Sequence, residues 1–207
     1  TNDFSNAGDL KAVYSPLCRE DGTVIDDLIA YKLSENKVLI CVNASNIQKD
    51  LNWINSQAKD FDVKITDRSE EYSLIALQGP KAFEIFSEVD SGLEDIDYYS
   101  IQIREDGELP VIYARTGYTG EDGFEIFAPH EEIVGLWSRL LSHDVVPCGL
   151  GSRDVLRLEV CYPLYGQEID DEVTPLESGL KWTVKFKKEN FVGKEALQES
   201  APRYLNL

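Results

Sequence analysis

A glycine-rich stretch, residues 114–127 with the sequence ARTGYTGEDGFEIF, constrains the fold of this chain more than any other segment. Apolar residues flank it on both sides, and glycine recurs at positions 117, 120 and 123. Glycine tolerates a positive φ and lets another backbone approach closely, so the pattern predicts two strands joined by a tight turn. The turn carries two acids and no lysine, which makes it a poor phosphate-binding loop.

Two side chains beside this turn are candidates for function. Tyr118 is an amphipathic ring between two glycines, and Glu125 lies between Phe124 and Ile126. Because side chains alternate along a strand, Glu125 is predicted to point away from both apolar neighbours. The stretch is then either an ordinary hairpin with a solvated acidic tip or one wall of a binding pocket.

Composition limits the classes of protein to which the chain can belong. Of its 207 residues, 43% are hydrophobic, which is enough for one large or two small cores. The net charge of −18 and the pI of about 4.4 disfavour nucleic acid and anionic membranes as partners. The sequence has no apolar run of the roughly 20 residues that a membrane-spanning helix needs. It begins with Thr1 rather than Met, so we expect a fragment of a longer protein.

Cysteine and histidine give no sign of a metal site. The four cysteines form no C-x-x-C pair and lie among apolar residues, which predicts buried free thiols in a reducing compartment. The two histidines flank one predicted helix and have no ligand-like spacing, so zinc is not expected. A Ser–His–Asp mechanism also lacks a nucleophile-elbow sequence.

Taken in order, the periodicities predict an α+β fold of antiparallel sheets with packed helices in two layers. A polar break at residues 67–69 is the predicted domain boundary, which gives domains 1–67 and 68–207. Either Ser45 or Asn46 is predicted to cap the first helix. The predicted strands are 10–18, 24–33, 38–43, 63–66, 72–77, 98–104, 109–115, 123–128 and 182–186, and the predicted helices are 44–61, 80–89, 130–141, 152–160 and 193–199.

Two adjacent acids, Asp26 and Asp27, interrupt an apolar strand. Their side chains must point to opposite faces, so one can be solvated while the other is buried. A buried carboxylate needs a partner or becomes protonated. The alternative is an ordinary charged pair near a turn.

Two arginines, Arg153 and Arg157, lie one helical turn apart in the predicted helix 152–160. Asp154 and Glu159 are close to them in sequence. On local chemistry alone, this segment is typical of a surface helix held by salt bridges between neighbouring turns.

Several segments resemble one known family, the glycine cleavage system T-protein, a tetrahydrofolate-dependent aminomethyltransferase. RTGYTGEDGFE closely resembles its signature over eleven residues, and VIDDL resembles its G-x-[IV]-[IL]-D-D-L segment. CGLGSRDVLRLE is similar to GLGARDxLRLE, with Ser152 in place of the usual alanine. Further matches, in the order found in the family and across essentially the whole chain, are TNDFS, LQGPKA, LYGQEID, TPLESGLKWTVK and FVGKEAL.

The resemblance implies a folate-binding aminomethyltransferase-type fold, in which three domains form a cloverleaf around the folate. The chain corresponds to the central portion, with two of those domains and the first incomplete. The family's N-terminal segment and C-terminal domain have no counterpart in this sequence.

The resemblance also implies roles for residues of the first predicted domain. Asp27 matches the essential aspartate, which orients or activates tetrahydrofolate during methylene transfer. Asn43 matches an asparagine near the site. Tyr14 and Tyr31 match aromatic positions of the folate cleft.

In the second predicted domain, the implied roles are all in folate binding. Arg153 takes the position of a folate-contacting arginine, and a guanidinium suits the carboxylates of the glutamyl tail. Glu125 can accept hydrogen bonds from the adjacent amine and ring N–H of a pterin. Tyr118 is expected to pack against the pterin or the aminobenzoyl ring.

The implied activity is transfer of a methylene from the lipoyl-bound aminomethyl group of H-protein to tetrahydrofolate, with release of ammonia. Tetrahydrofolate is then the co-substrate, no metal is needed, H-protein is the partner, and the location is cytoplasmic, or mitochondrial in a eukaryote. One alternative is a folate-binding protein without catalysis, either an inactive fragment or the iron–sulfur assembly relative of the same fold. The latter carries a K-G-C-[FY]-x-G-Q-E motif, from which this sequence departs between Cys161 and Gly166. The other alternative is a purely structural domain.

Overall fold

The computed structural model describes residues 1–90, 92, 95–105, 107 and 109–204. Its strands are β1 (Ala12–Cys18), β2 (Val24–Ser34), β3 (Lys37–Cys41), β4 (Tyr72–Gln78), β5 (Ile101–Arg104), β6 (Val111–Ala114) and β7 (Gly123–Pro129). Its helices are α1 (Ile47–Gln57), α2 (Ala82–Val89), α3 (His130–Leu141), α4 (Leu150–Glu159) and α5 (Lys194–Tyr204). Short 3₁₀ turns, Ala44–Asn46 and Ala58–Asp60, flank α1, and a third covers Lys181–Thr183.

The packing of the chain divides it into two units. Unit 1 comprises Thr1–Asp9, Val13–Thr66 and the residues from Pro163 onward, and unit 2 comprises Leu10–Ala12 and Asp67–Tyr162. The residues from Pro163 onward, which the sequence analysis assigned to the second domain, thus pack in the unit that contains β2. The main-chain N–H of Val24 donates to the carbonyl of Val173 (2.9 Å), and Arg19 pairs with Asp171. These contacts are distant in sequence, so a boundary read from local composition does not show them.

Unit 1 is organised around a three-stranded sheet in the order β1-β2-β3. β2 and β3 are antiparallel, with Tyr31 opposite Leu39, and Gly22 adopts a positive φ (86°) in the turn before β2. Two apolar clusters that involve the last third of the chain complete this unit. One joins Val24 of β2 to Ile169 and Leu180, and the other contains Leu176, Val184, Leu197 and Ala201.

Unit 2 is a four-stranded antiparallel sheet, in the order β4-β7-β6-β5, with helices packed on it. Phe86 of α2 and Phe124 of β7 are fully buried and lie in ring contact at 5.7 Å. One face of α3 is buried at Ile133, Leu136 and Leu140. Trp137, which is next to Leu136 in sequence, is 44% exposed.

Two predicted strands are wrong. Residues 62–68 adopt neither helix nor strand, and Val63 is exposed, so this short segment has no apolar face to bury. Residues 182–186 begin within the 3₁₀ turn Lys181–Thr183, and Thr183 and Val184 are buried in succession. A strand would place these neighbours on opposite faces, so the burial pattern itself differs from that of a half-buried strand.

The prediction of buried thiols holds for only part of the set. All four cysteines are free, as predicted, and Cys18 is buried. Cys41 is half-buried, whereas Cys148 and Cys161 are exposed. Apolar neighbours in sequence do not bury a cysteine when those neighbours are themselves exposed. This is the case around Cys161, where Leu158 and Val160 both face solvent.

Candidate functional site

The two acids of β2 have different environments, as the alternation of the strand predicted. Asp26 is 0% exposed, whereas Asp27 is half-buried. The side chain of one acid therefore lies inside unit 1, and the other lies where a ligand can reach it.

Asn43, which follows β3, bridges the two carboxylates. Its main-chain N–H donates to Oδ2 of Asp26 (3.0 Å), and its side-chain Nδ2 donates to Oδ1 of Asp26 (2.8 Å) and Oδ1 of Asp27 (2.9 Å). A primary amide has two N–H donors, so one side chain can hold both acids at once. The relative orientation of Asp26 and Asp27 is thereby fixed.

Asn46 is a further donor to the buried acid. Its Nδ2 donates to Oδ1 of Asp26 (2.7 Å), and it makes no side-chain capping bond to α1. Asn46 thus occupies the N-cap position of α1, one of the two predicted, but the buried carboxylate takes its side-chain amide in place of a helix N–H.

The other oxygen of Asp27 is held by Tyr14. The phenol Oη donates to Oδ2 of Asp27 (3.0 Å), and the Tyr14 ring stacks on Trp182 at 5.8 Å and 20°. Burial raises the pKa of Asp27 and the nearby Asp26 raises it further, while the bonds from Tyr14 and Asn43 lower it. Asp27 is thus a positioned carboxylate that takes up a proton more readily than an ordinary aspartate.

Tyr31, the other aromatic residue of this unit predicted to lie in the folate cleft, is 0% exposed. It lies in the centre of β2, opposite Leu39. Its place in the folate cleft stays a prediction.

Sequence reasoning overlooked an acid on α1. Asp50 is 1% exposed and is the one fully buried residue that the structure gives this helix. The signal was present in the sequence. Position 50 lies three residues after Ile47 and four before Ile54, so helical spacing places it on the same face as these two apolar residues.

In unit 2, the glycine-rich stretch forms the predicted turn between β6 and β7, and Ala114 pairs with Glu125. Of its three glycines, Gly120 has a positive φ (77°). The other two are needed for close approach. A Cβ at Gly117 would overlap the side chain of Gln78, and one at Gly123 would overlap the carbonyl oxygen of Leu77.

The tip of the turn is not simply a solvated acidic loop. Arg115 binds Asp122 through two hydrogen bonds, Nε to Oδ1 (3.0 Å) and a terminal nitrogen to Oδ2 (2.8 Å). This guanidinium lowers the pKa of Asp122. A bidentate ion pair thus braces the turn and neutralises one of its acids.

Glu125 points away from the buried Phe124 and Ile126, as predicted, and is half-buried. Its Oε2 accepts a hydrogen bond from the hydroxyl of Thr116 (2.6 Å), and that threonine is fully buried. A strand and a buried hydroxyl therefore fix the position of this carboxylate.

Tyr118 and Arg153 lie together. The Arg153 guanidinium stands over the Tyr118 ring at 4.3 Å, and Tyr118 also stacks on Tyr162 at 5.9 Å and 27°. Arg157 is different, because it is buried and bonds to Asp154 (2.8 Å) and the carbonyl of Tyr162 (3.2 Å). The salt-bridged helix considered from sequence thus describes Arg157, whereas Arg153 is exposed and faces an aromatic ring.

Sequence reasoning also missed a pair of tyrosines next to these residues. The rings of Tyr98 and Tyr99 meet edge to face at 4.9 Å. Burial raises the pKa of Tyr98, and the nearby Tyr162 and Glu125 raise it further. The Tyr-Tyr doublet is visible in the sequence, but nothing local connects it to residues 118–162.

In unit 2, then, a carboxylate, a cation and several aromatic rings come together, and in unit 1 a carboxylate is held by an amide and a phenol. Within the described residues, no group of three or more histidine, cysteine or acidic side chains could hold a metal ion. Among the helices in the described part of the chain, none is long and apolar enough to cross a membrane.

Comparisons with known proteins agree with the resemblance seen in the sequence. Residues 1–188 match the family described as the GCVT N-terminal domain. Two curated relatives are named aminomethyltransferase. This chain is 47% identical over 200 residues to the one from Thermosipho melanesiensis and 50% identical over 202 residues to the one from Thermotoga maritima. These alignments cover 96% and 95% of this chain and 55% of each relative, so the chain spans about half the length of the curated relatives it matches.

A solved structure gives the same result for the fold. The crystal structure of glycine cleavage system aminomethyltransferase T from Bartonella henselae matches with a TM-score of 0.87 at 32% identity. The match covers 96% of this chain and 55% of that one. The predicted α+β fold of antiparallel sheets with packed helices is thereby confirmed, and the chain belongs to the GCVT N-terminal domain family, together with these aminomethyltransferases.

Proposed function

We propose that this chain carries the folate-binding and methylene-transfer residues of an aminomethyltransferase. The reaction moves a methylene from the lipoyl-bound aminomethyl group of H-protein to tetrahydrofolate and releases ammonia. The observation that carries the proposal is Asp27, a half-buried carboxylate with one oxygen bonded by Tyr14 and the other by Asn43. The names of the relatives support the reaction class.

The residues of unit 2 fit the chemical groups of tetrahydrofolate. A pterin presents an amine and a ring N–H side by side, and the fixed Glu125 carboxylate can accept from both. The glutamyl tail carries carboxylates that suit the exposed guanidinium of Arg153, and the Tyr118 ring can stack on an aromatic part of the ligand. When bound, tetrahydrofolate would supply the nitrogen nucleophile that takes up the methylene.

The part of the protein itself is orientation and electrostatics. Tyr14 and Asn43 hold the plane of the Asp27 carboxylate, so it presents its remaining lone pairs in one direction. A carboxylate fixed in this way can orient a ligand N–H or stabilise positive charge that develops during transfer. Because burial raises its pKa, Asp27 can also hold a proton at a pH where an exposed aspartate does not.

Calorimetry of the 207-residue chain with tetrahydrofolate, under reducing conditions, tests the binding part of this proposal. We expect micromolar affinity that is lost in Glu125→Ala, because two pterin donors then lose their acceptor. Glu121→Ala is the matched control, since Glu121 is an exposed acid at the tip of the same turn. Equal loss in both variants, or no loss in either, would refute the role of Glu125.

The catalytic part is tested by turnover with the lipoylated carrier. We expect Asp27→Asn to lose turnover while it keeps most of its affinity for tetrahydrofolate, because the amide preserves shape and removes charge. A variant that turns over at the parent rate would remove Asp27 from the mechanism.

A further inference from the structure

Asp50 of α1 is a buried acid that the proposed function does not use. It is 1% exposed, and neither of its carboxyl oxygens receives a hydrogen bond from a donor in the described part of the chain. An ionised carboxylate in such a place would be left without solvation and without a compensating donor. The geometry therefore requires an explanation of how this side chain is accommodated.

The explanation lies in the neighbouring acid. Asp26 is fully buried and accepts three hydrogen bonds, two from Asn43 and one from Asn46. All three donors are amide N–H groups, so Asp26 uses both of its oxygens as acceptors. Asp50 lies one helical turn after Asn46, which donates to Asp26, so α1 places the Asp50 carboxyl on the face that packs at Asp26. Two acids in contact can bond to each other only when one of them is protonated.

The charges around the pair favour a proton on Asp50. Asp27 adds a second negative charge nearby, and the Lys49 cation acts in the opposite direction. The Lys49 ammonium, however, bonds to the Tyr165 hydroxyl and lies 3.4 Å from Asp171, which is a second use for its charge. Burial and the proximity of Asp26 together raise the pKa of Asp50 to about 8.

We propose that Asp50 is a protonated positioning residue, which donates its hydrogen bond to Asp26 and so holds the Asp26–Asn43 pair that orients Asp27. The bonding sequence runs from Asp50 to Asp26, from Asp26 to the amide of Asn43, and from the same amide to Oδ1 of Asp27. The acid pair itself stands on its own geometry, and its effect on Asp27 rests on the function proposed above.

Two substitutions separate the proton from the packing. Asp50→Asn keeps the volume and a donor for Asp26 but has no titrating proton, whereas Asp50→Ala loses the donor. Asp60→Asn is the matched control, because Asp60 is an exposed acid in the 3₁₀ turn after α1.

Side-chain carboxyl ¹³C NMR titration of the chain tests the acid pair without any activity. We expect one aspartate other than Asp27 to titrate well above the ordinary range of about 4, with that signal absent in Asp50→Asn and retained in Asp60→Asn and in Asp27→Asn. The absence of such a signal in Asp27→Asn, or its persistence in Asp50→Asn, would overturn the proposal.

Turnover with tetrahydrofolate and the lipoylated carrier tests the positioning of Asp27. We expect Asp50→Ala to lower kcat by roughly tenfold or more with KM for tetrahydrofolate nearly unchanged, and Asp50→Asn to recover most of that loss. A loss of activity above pH 8 should be weaker in Asp50→Asn than in the parent. Equal kcat in the parent, Asp50→Ala and Asp50→Asn would refute the positioning role even if the acid pair is found. If Asp50→Ala does not fold, the pH profile of activity in Asp50→Asn decides.

Discussion

The hydroxyl of Tyr14 gives the sharpest test of the geometry around Asp27. It donates to Oδ2 of Asp27 at 3.0 Å and favours the ionised form of that carboxylate. Tyr14→Phe removes the donor but keeps the ring that stacks on Trp182. The substitution should therefore raise the pKa of Asp27 further without altering the packing of unit 1.

The size of the shift follows from the bond. A hydrogen bond to a charged group contributes about 1.5–3 kcal/mol, and one pKa unit corresponds to about 1.4 kcal/mol. Because Asp27 is half-buried and the bond has an ordinary length, water replaces part of what is lost, so we expect the low end. The pKa of Asp27 should rise by about one unit.

Side-chain carboxyl NMR titration measures this shift directly, with the Asp27 signal assigned by its loss in Asp27→Asn. Tyr72→Phe is the matched control, because the Tyr72 hydroxyl donates to the carbonyl of Pro110 in unit 2 (3.0 Å). An unchanged midpoint for Asp27 in Tyr14→Phe, or an equal shift in both variants, would refute the reasoning.

The same substitution changes the pH dependence of stability. Since the pKa of Asp27 is higher in the folded than in the unfolded chain, the folded state binds more protons between those two values. Stability falls as pH rises through that window, and Tyr14→Phe widens it. Urea unfolding at several pH values should therefore show that the free energy of unfolding falls more with rising pH in Tyr14→Phe than in Tyr72→Phe.

Two further predictions concern packing and exposure. Gly123→Ala should destabilise unit 2 by about 2 kcal/mol or more in urea unfolding, because the new Cβ meets a main-chain carbonyl oxygen of β4. Gly151→Ala in α4 is the control. Its new Cβ meets nothing within 4 Å, so this variant should be as stable as the parent or more stable. Equal urea midpoints in Gly123→Ala and Gly151→Ala would contradict the close approach of β4 to Gly123. A thiol reagent at pH 8 should modify the exposed Cys148 and Cys161 quickly and Cys18 only after unfolding. Cys18 is buried, and burial raises the pKa of its thiol to about 11, so little reactive thiolate forms at this pH. Fast reaction of Cys18 in the native chain would contradict its burial.

Local patterns predicted much of the structure because they depend on neighbouring residues. The helix predicted at residues 130–141 has those bounds, since Ile133, Leu136 and Leu140 recur at helical spacing and are buried. The opposite faces of Asp26 and Asp27 and the orientation of Glu125 follow from strand alternation alone. The strand predicted at 182–186 failed because its burial is set by residues that are distant in sequence.

The site shows the same division. Asp27, Glu125 and Arg153 were proposed from motifs, which are read in short segments of sequence. Thr116 beside Glu125, Trp182 beside Tyr14 and the buried Asp50 were not, since folding decides their contacts and burial.

The sequence by itself determined the glycine turn, the alternation of the strands and the family to which the chain belongs. All of these depend on backbone geometry and on residues adjacent along the chain. Only the tertiary structure decided which of two neighbouring acids is buried, that one amide holds both, and that a third acid, Asp50 of α1, is buried as well. The physical reason is that the charge of a carboxylate depends on the donors and the water around it. Folding brings those donors from distant parts of the chain and excludes the water.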